Sequence, residues 1–301
     1  VKTILEINGL SKNYKKIQAV DQLSLQIEEG MIFGLLGPNG SGKTTTLGML
    51  LGVIRPTSGS FSWFGNGSVD ENRKRIGSLL ETPNFYPYLT AHQNLEIVAK
   101  IKGMNNPTAR IEEVLRQVDL FERKDTKFKT YSLGMKQRLA IASALLSDPE
   151  ILVFDEPTNG LDPQGIAEIR ELILHIATTG KTIIIASHIL DEIEKTCTHC
   201  AIMRKGKLLQ VGTIKDLLGN QHNLLVRVNA ENKNLLLQLI SSNPDISVYR
   251  DSAIELIISV DQKIKPSELN KFFFENGVAL SEISVFQESL ENQFLKIIKE
   301  S

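Results

Sequence analysis

Apolar and polar positions alternate from the start of the chain. Leu5 and Ile7, then Leu23, Leu25 and Ile27, recur with a two-residue period, and Tyr14-Lys15-Lys16 interrupts it. That spacing predicts strands with one buried face, joined by a turn. Gly30 ends the hairpin, and Met31-Ile32-Phe33-Gly34-Leu35-Leu36 comes next as a short apolar run. Such a run is expected of a strand buried on both faces of a parallel sheet. It feeds a glycine-rich segment and then a helix from Thr45 to Leu51. From about Thr90 to Ser147 the spacing becomes helical, as in Leu95/Val98/Ala99, Ile111/Val114/Leu115/Val118 and Leu139/Ala142/Leu145/Leu146. Two further apolar runs, Ile151 to Phe154 and Thr182 to Ala186, flank a helical stretch from Gln164 to Thr178. This βαβ order predicts an α/β fold with a mainly parallel sheet and helices on both faces.

After about Gly219 the pattern changes. Strands are expected at Asn223 to Asn229, Ile246 to Arg250, Ala253 to Val260 and Ala279 to Phe286. Helices are expected at Asn232 to Ser241, Pro266 to Asn276 and Ser289 to Lys299. The order βαββαβ plus a helix predicts a small ferredoxin-like α+β domain at 220–301, after a larger unit at 1–219 with a helical part at about 90–147.

Composition narrows the function classes without naming one. Net charge is −1, from 34 Lys+Arg against 35 Asp+Glu, and no polybasic block stands out, so nucleic acid is not an expected partner. The apolar runs are too short to span a bilayer, so a soluble chain is expected. Cys197 and Cys200 bracket His199, but a closed tetrahedral zinc site needs four ligands. A helix end packing one thiol inward in a reducing cytoplasm is the simpler reading.

The chemistry begins at Gly37-Pro38-Asn39-Gly40-Ser41-Gly42-Lys43-Thr44, which meets G-x-x-x-x-G-K-[ST] in full. A chance match in a chain of this length has odds on the order of one in a hundred. The glycines let backbone N–H groups turn inward around phosphate oxygens at a helix N-terminus, where the dipole favours negative charge. Lys43 is expected to reach the β- and γ-phosphates and the Thr44 hydroxyl to ligate Mg²⁺, with Thr45 beside them in the nucleotide-binding set. Asp155 and Glu156 end the apolar run Ile151 to Phe154. Two acids there are costly without a cation, so Asp155 is the expected Mg²⁺ holder and Glu156 the general base or water orienter.

Other segments narrow the class. Tyr131-Ser132-Leu133-Gly134-Met135-Lys136-Gln137-Arg138 resembles the signature motif of ABC ATPases, commonly Leu-Ser-Gly-Gly-Gln. Pro157-Thr158-Asn159-Gly160-Leu161-Asp162-Pro163 looks like the family's D-loop, Ser187-His188 like its switch histidine, and Tyr14 like its adenine-stacking aromatic. The resemblance covers roughly Leu5 to Gly212. It implies a P-loop ABC cassette that binds ATP with Mg²⁺ and dimerises with a second ATP-binding subunit. It also implies that the chain drives a separate membrane permease from the cytoplasmic face. Ser132, Gly134 and Asp162 would then serve the partner's nucleotide, and His188 would meet the γ-phosphate.

Two departures from the family pattern stand out. Leu133 and Met135 replace the signature's first glycine and its glutamine, and Glu81 stands where most relatives carry the hinge glutamine that touches Mg²⁺ and the attacking water. A carboxylate is a hard-oxygen ligand, so Glu81 is expected to join the metal site and catalysis. Glu81 with Phe85-Tyr86-Pro87, and the Tyr131 to Arg138 segment, look like the branch that exports or confers immunity to bacitracin and lantibiotics. Exposed Phe85, Tyr86 and Tyr88 would suit the permease interface. A rival reading is a non-transport ABC ATPase on ribosomes or DNA, which typically has two cassettes, a long coiled coil or a basic surface, none visible here.

Overall fold

In the computed structural model, residues 2–65, 69–80, 84–218, 223–252, 255–261, 263–286 and Phe294 are described. The chain divides into two compact units, one running to Leu217 and one from Leu218 to Gln293.

The first unit is built on a six-stranded sheet in the order Ile76–Leu79, Ile151–Asp155, Thr182–Ser187, Ile32–Leu36, His199–Arg204, Lys207–Thr213. The first five strands are parallel and the last turns back antiparallel. Every residue of Ile32–Leu36, Ile151–Asp155 and Thr182–Ser187 is buried, as central parallel strands covered on both faces require. Register aligns the ends of these strands. Leu36 pairs with Ser187 and Asp155 with Ala186, so the three strands end level. Gly37, Glu156 and His188, each at or just past a strand end, therefore emerge together on the carboxyl edge, where open α/β sheets place their ligands.

A three-stranded antiparallel sheet, with Thr3–Tyr14 between Ile17–Glu28 and Ser58–Trp63, shares its core with the parallel sheet. Leu5, Ile7, Leu23 and Trp63 pack with Leu47 and Met49 of the helix Lys43–Leu50 and with Val153 and Ile184. Truncating one such buried aliphatic side chain to alanine typically costs about 2–5 kcal/mol, so this shared core fixes the helix behind the phosphate loop. That helix starts two residues earlier than its apolar spacing predicts, because Gly42 (φ 106°) sets its first turn.

The helical stretch resolves into Ala91–Ile101, Thr108–Gln117 and Leu133–Leu145, with two short 3₁₀ turns between the last two. Thr90 and Gln93 form a reciprocal capping box at the first helix. Gly77 explains the closeness of the third helix, since a Cβ there would come within 2.2 Å of the Ala144 carbonyl oxygen.

The second unit is a four-stranded antiparallel sheet in the order Ile246–Asp251, Leu256–Asp261, Asn223–Ala230, Leu280–Val285, with helices Lys233–Ser242 and Pro266–Glu275. Val226, Val228, Ile258 and Val260 pack with Leu236, Ile240, Leu269 and Phe273. The expected strand start at Ala253 and nearly all of the expected helix Ser289 to Lys299 lie outside the described residues.

Candidate functional site

The phosphate-type loop is held by contacts that only glycine permits. A Cβ on Gly37 would come within 2.3 Å of the Met203 carbonyl oxygen, and one on Gly42 within 2.5 Å of that of Ala19. Gly40 (φ 77°) and Gly42 are left-handed. Pro38, Asn39 and Gly40 are exposed, while Ser41 and Lys43 are buried. The Lys43 ammonium donates to the Gly37 carbonyl at 2.7 Å and lies 3.3 Å from Glu156 Oε1. The opening N–H groups of a helix have no intrahelical acceptor, and the helix dipole there favours negative charge. Thr44 is exposed and Thr45 half-buried on the first turn of Lys43–Leu50.

The acidic end sits beside this loop. Asp155 is 1% exposed at the end of its strand. Glu156 takes a left-handed backbone (φ 49°), uncommon for a residue with a Cβ, while its N–H donates to the Ala186 carbonyl at 2.9 Å. Its second carboxylate oxygen lies 2.8 Å from His188 Nδ1, so Glu156 bridges Lys43 and His188. A carboxylate acceptor at Nδ1 selects the tautomer with its proton there.

A cavity of about 550 Å³ opens over the loop, lined by Tyr14, Ile17, Gln18, Ala19, Asn39 to Thr45, Glu156 and Lys205. That is the size of a small-molecule site. Tyr14, 44% exposed, supplies an aromatic wall. Ile17, Gln18, Ala19 and Lys205 are additions that sequence reasoning missed. Lys205 and Gly206 form a left-handed turn (φ 48° and 81°), and the Gly206 N–H donates to the Ser41 carbonyl at 3.0 Å. A Lys-Gly pair between apolar runs signals a turn, but only the sheet order brings that turn to the loop.

Within this chain the signature residues stand outside that cavity. Ser132 caps the helix Leu133–Leu145, its hydroxyl accepting from the Met135 N–H at 3.3 Å. Leu133, 44% exposed, reaches Gly160, where a Cβ would lie 3.2 Å from Leu133 Cδ2, and Gly134 faces Leu161. The unexpected leucine thus packs on the D-loop-like segment of its own chain. Asp162 caps the helix Pro163–Ala177, accepting from the Gly165 N–H at 2.9 Å. Phe85 departs from expectation: it is half-buried, edge-on to Phe128 at 5.2 Å, because the 3₁₀ turn there offers an aromatic partner. Tyr86 and Tyr88 are exposed. Glu81 lies outside the described residues.

Both thiols are buried, not one: Cys197 follows the helix Leu190–Thr196 while Cys200 lies in the strand His199–Arg204, and burial pushes the Cys200 thiol up to about 12. Both stay protonated in the interior.

Comparison with known proteins supplies the family. The ABC transporter family model matches residues 20–159. The bacitracin transport ATP-binding protein BcrA of Bacillus licheniformis is 43% identical, over 98% of this chain and 97% of its own length. The chain belongs to the ABC transporter family. It is an ATP-binding subunit of that family, whose ATP-binding domains hydrolyse ATP to power transport. The lantibiotic transport ATP-binding protein SrtF of Streptococcus pyogenes is 39% identical, over 68% of this chain and 89% of its own. The ATP-binding cassette MJ0796, solved as a post-hydrolysis dimer with ADP and Pi, matches with TM-score 0.63 and 26% identity, covering 70% of this chain and 99% of that one. Among the described residues, no helix of this cassette subunit is long and apolar enough to cross a membrane.

Proposed function

We propose that this subunit binds ATP with Mg²⁺ at the Gly37 to Thr45 loop and hydrolyses it to drive a separate membrane-spanning permease that exports antimicrobial peptides. The Lys43–Glu156–His188 chain of contacts carries the site reading. It sets one cation, one carboxylate and one imidazole side by side at the loop that receives phosphates. The peptide cargo is inferred from the transport named for the bacitracin and lantibiotic relatives. The net charge of −1 favours this over an ATPase working on nucleic acid.

The residues fit Mg²⁺. Thr44 and Asp155 offer hard oxygens on neighbouring elements, the kind of donor that ion takes. Glu81, two positions past the strand Ile76–Leu79 in the sequence, would add a third carboxylate. Bound there, the ion would neutralise charge building on the transferred phosphoryl group. Glu156 would orient and deprotonate the attacking water, His188 would hold Glu156 and the γ-phosphate in register, and Tyr14 would stack on the base.

Ser132, Gly134 and Asp162 would act on a second subunit's nucleotide, a reading that their place outside this chain's cavity supports. ATP then draws two subunits together, and losing the γ-phosphate lets them part. The subunit would sit at the cytoplasmic face of the membrane through its permease.

Glu156→Gln tests the reading. ATP binding should persist, turnover should fall to background, and ATP should trap a dimer on size-exclusion chromatography. Undiminished turnover would refute the base assignment. Loss of bacitracin or lantibiotic resistance on deleting the gene would support the cargo, and unchanged resistance would count against it.

A further inference from the structure

Behind the Glu156–His188 contact lies a buried carboxyl that the proposed chemistry does not use. Glu192, 6% exposed, sits on the helix Leu190–Thr196, whose Ile193 side chain packs so close to Gly34 that a Cβ there would meet it at 2.9 Å. One Glu192 oxygen accepts from the Thr158 hydroxyl, two residues after Glu156. The other accepts from the Ser187 hydroxyl at 3.1 Å, one residue before His188, and Ser187 Oγ in turn accepts from the Ile189 N–H at 3.0 Å. Thr158 and Ser187 are themselves buried.

We infer that Glu192 is a positioning residue: its carboxylate ties the segment carrying Glu156 to the segment carrying His188 and so sets the 2.8 Å contact between them. One backbone bond, from the Glu156 N–H to the Ala186 carbonyl at 2.9 Å, joins the two segments, and the residues past it are tied by side chains. Glu156 has a left-handed backbone just past its strand, and His188 lies just past the end of Thr182–Ser187. A single rigid carboxylate with one hydroxyl on each oxygen holds both from a helix that is itself wedged against the strand of the phosphate loop. Burial raises the Glu192 carboxyl above the ordinary range, while the Thr158 and Ser187 hydroxyls pull it back; the Glu156 charge raises it further and His188 lowers it. The two hydroxyl hydrogen bonds therefore favour the ionised form against its own burial. Glu192 shares a small pocket with Arg170, Pro157, Thr158, Ile193 and Thr196.

The proposal rests on reading Glu156 and His188 as the catalytic pair, so its test carries both. The full chain is compared with Glu192→Ala, Glu192→Gln, His188→Ala, Glu156→Gln and the His188→Ala/Glu192→Ala double variant. ATPase kinetics, nucleotide binding and thermal unfolding are measured for each. Glu192→Ala should lower kcat roughly 10- to 100-fold, the scale of a misplaced catalytic group, while KM for ATP moves by less than about twofold. Glu192→Gln, which keeps the shape and one acceptor, should recover part of that loss with native thermal unfolding, and it stands as the deciding variant if the alanine form does not fold.

Because Glu192 acts through His188 and Glu156, adding Glu192→Ala to His188→Ala should lower kcat by less than about threefold more. Parental kcat in either foldable Glu192 variant, beside an inactive Glu156→Gln, overturns the positioning role and leaves the site reading standing. So does a full multiplicative loss in the double variant, which marks a general structural role. Undiminished turnover in Glu156→Gln overturns both.

Discussion

Gly42 shows how far single residues decide this site. Its φ of 106° is strained for any side chain, and a Cβ would also strike the Ala19 carbonyl at 2.5 Å. Gly30 has a φ of 79° but nothing within 4 Å of a Cβ. Gly42→Ala therefore combines strain with a backbone clash at the start of the phosphate-loop helix, whereas Gly30→Ala carries strain alone, about 1–3 kcal/mol. Gly42→Ala should lose ATP binding by equilibrium titration as well as unfolding temperature; Gly30→Ala should lose only the second. Equal nucleotide affinity in the two would contradict the close approach at Gly42. The residues from Gly37 to Thr44 could be read from their order alone, because consecutive positions dictate that geometry. Lys205 and Glu192 could not. Lys205 reaches the cavity because its neighbour Gly206 bonds the distant Ser41, and Glu192 depends on Thr158, 34 positions away, and on Ser187 across a helix start whose direction only packing sets.

At the scale of elements, two helix starts bear on the second half of the site. Ser132 and Asp162 each cap a helix within their own chain, yet each is also proposed to face a partner's nucleotide. Capping and nucleotide contact separate at Asp162. Alanine removes the cap, worth about 1 kcal/mol, while asparagine caps as well as aspartate. Asp162→Ala should lower both the unfolding temperature and turnover, and Asp162→Asn should keep the unfolding temperature while lowering turnover. Parental turnover in the asparagine variant would reduce Asp162 to a cap. The central strands were legible because two-sided burial writes an unbroken apolar run, as in Ile151 to Phe154. The helical region was legible as a class but not in its divisions. The 3₁₀ turn Phe128–Thr130, which seats Phe85, arises from aromatic packing that no periodicity reports.

For the whole molecule, the cavity on one chain holds the Lys43 loop and Glu156 but neither Ser132 nor Gly134. On the proposed reading of Ser132 and Gly134, each complete site draws its loop from one subunit and its signature segment from the other. Two inactive variants should then complement. Lys43→Ala keeps an intact Ser132, and Ser132→Ala keeps an intact loop. A mixed dimer contains one site built from the intact loop of one and the intact signature of the other, and one site damaged on both sides. Random assortment of equal amounts gives about a quarter of the parental number of intact sites, whereas either variant alone has none. ATPase activity in the mixture should therefore rise clearly above the sum of the separate variants, and raising total protein should increase it further because association is required. Activity equal to that sum at every concentration would mean that Ser132 serves only the helix of its own chain, and the site would have to be sought within a single subunit.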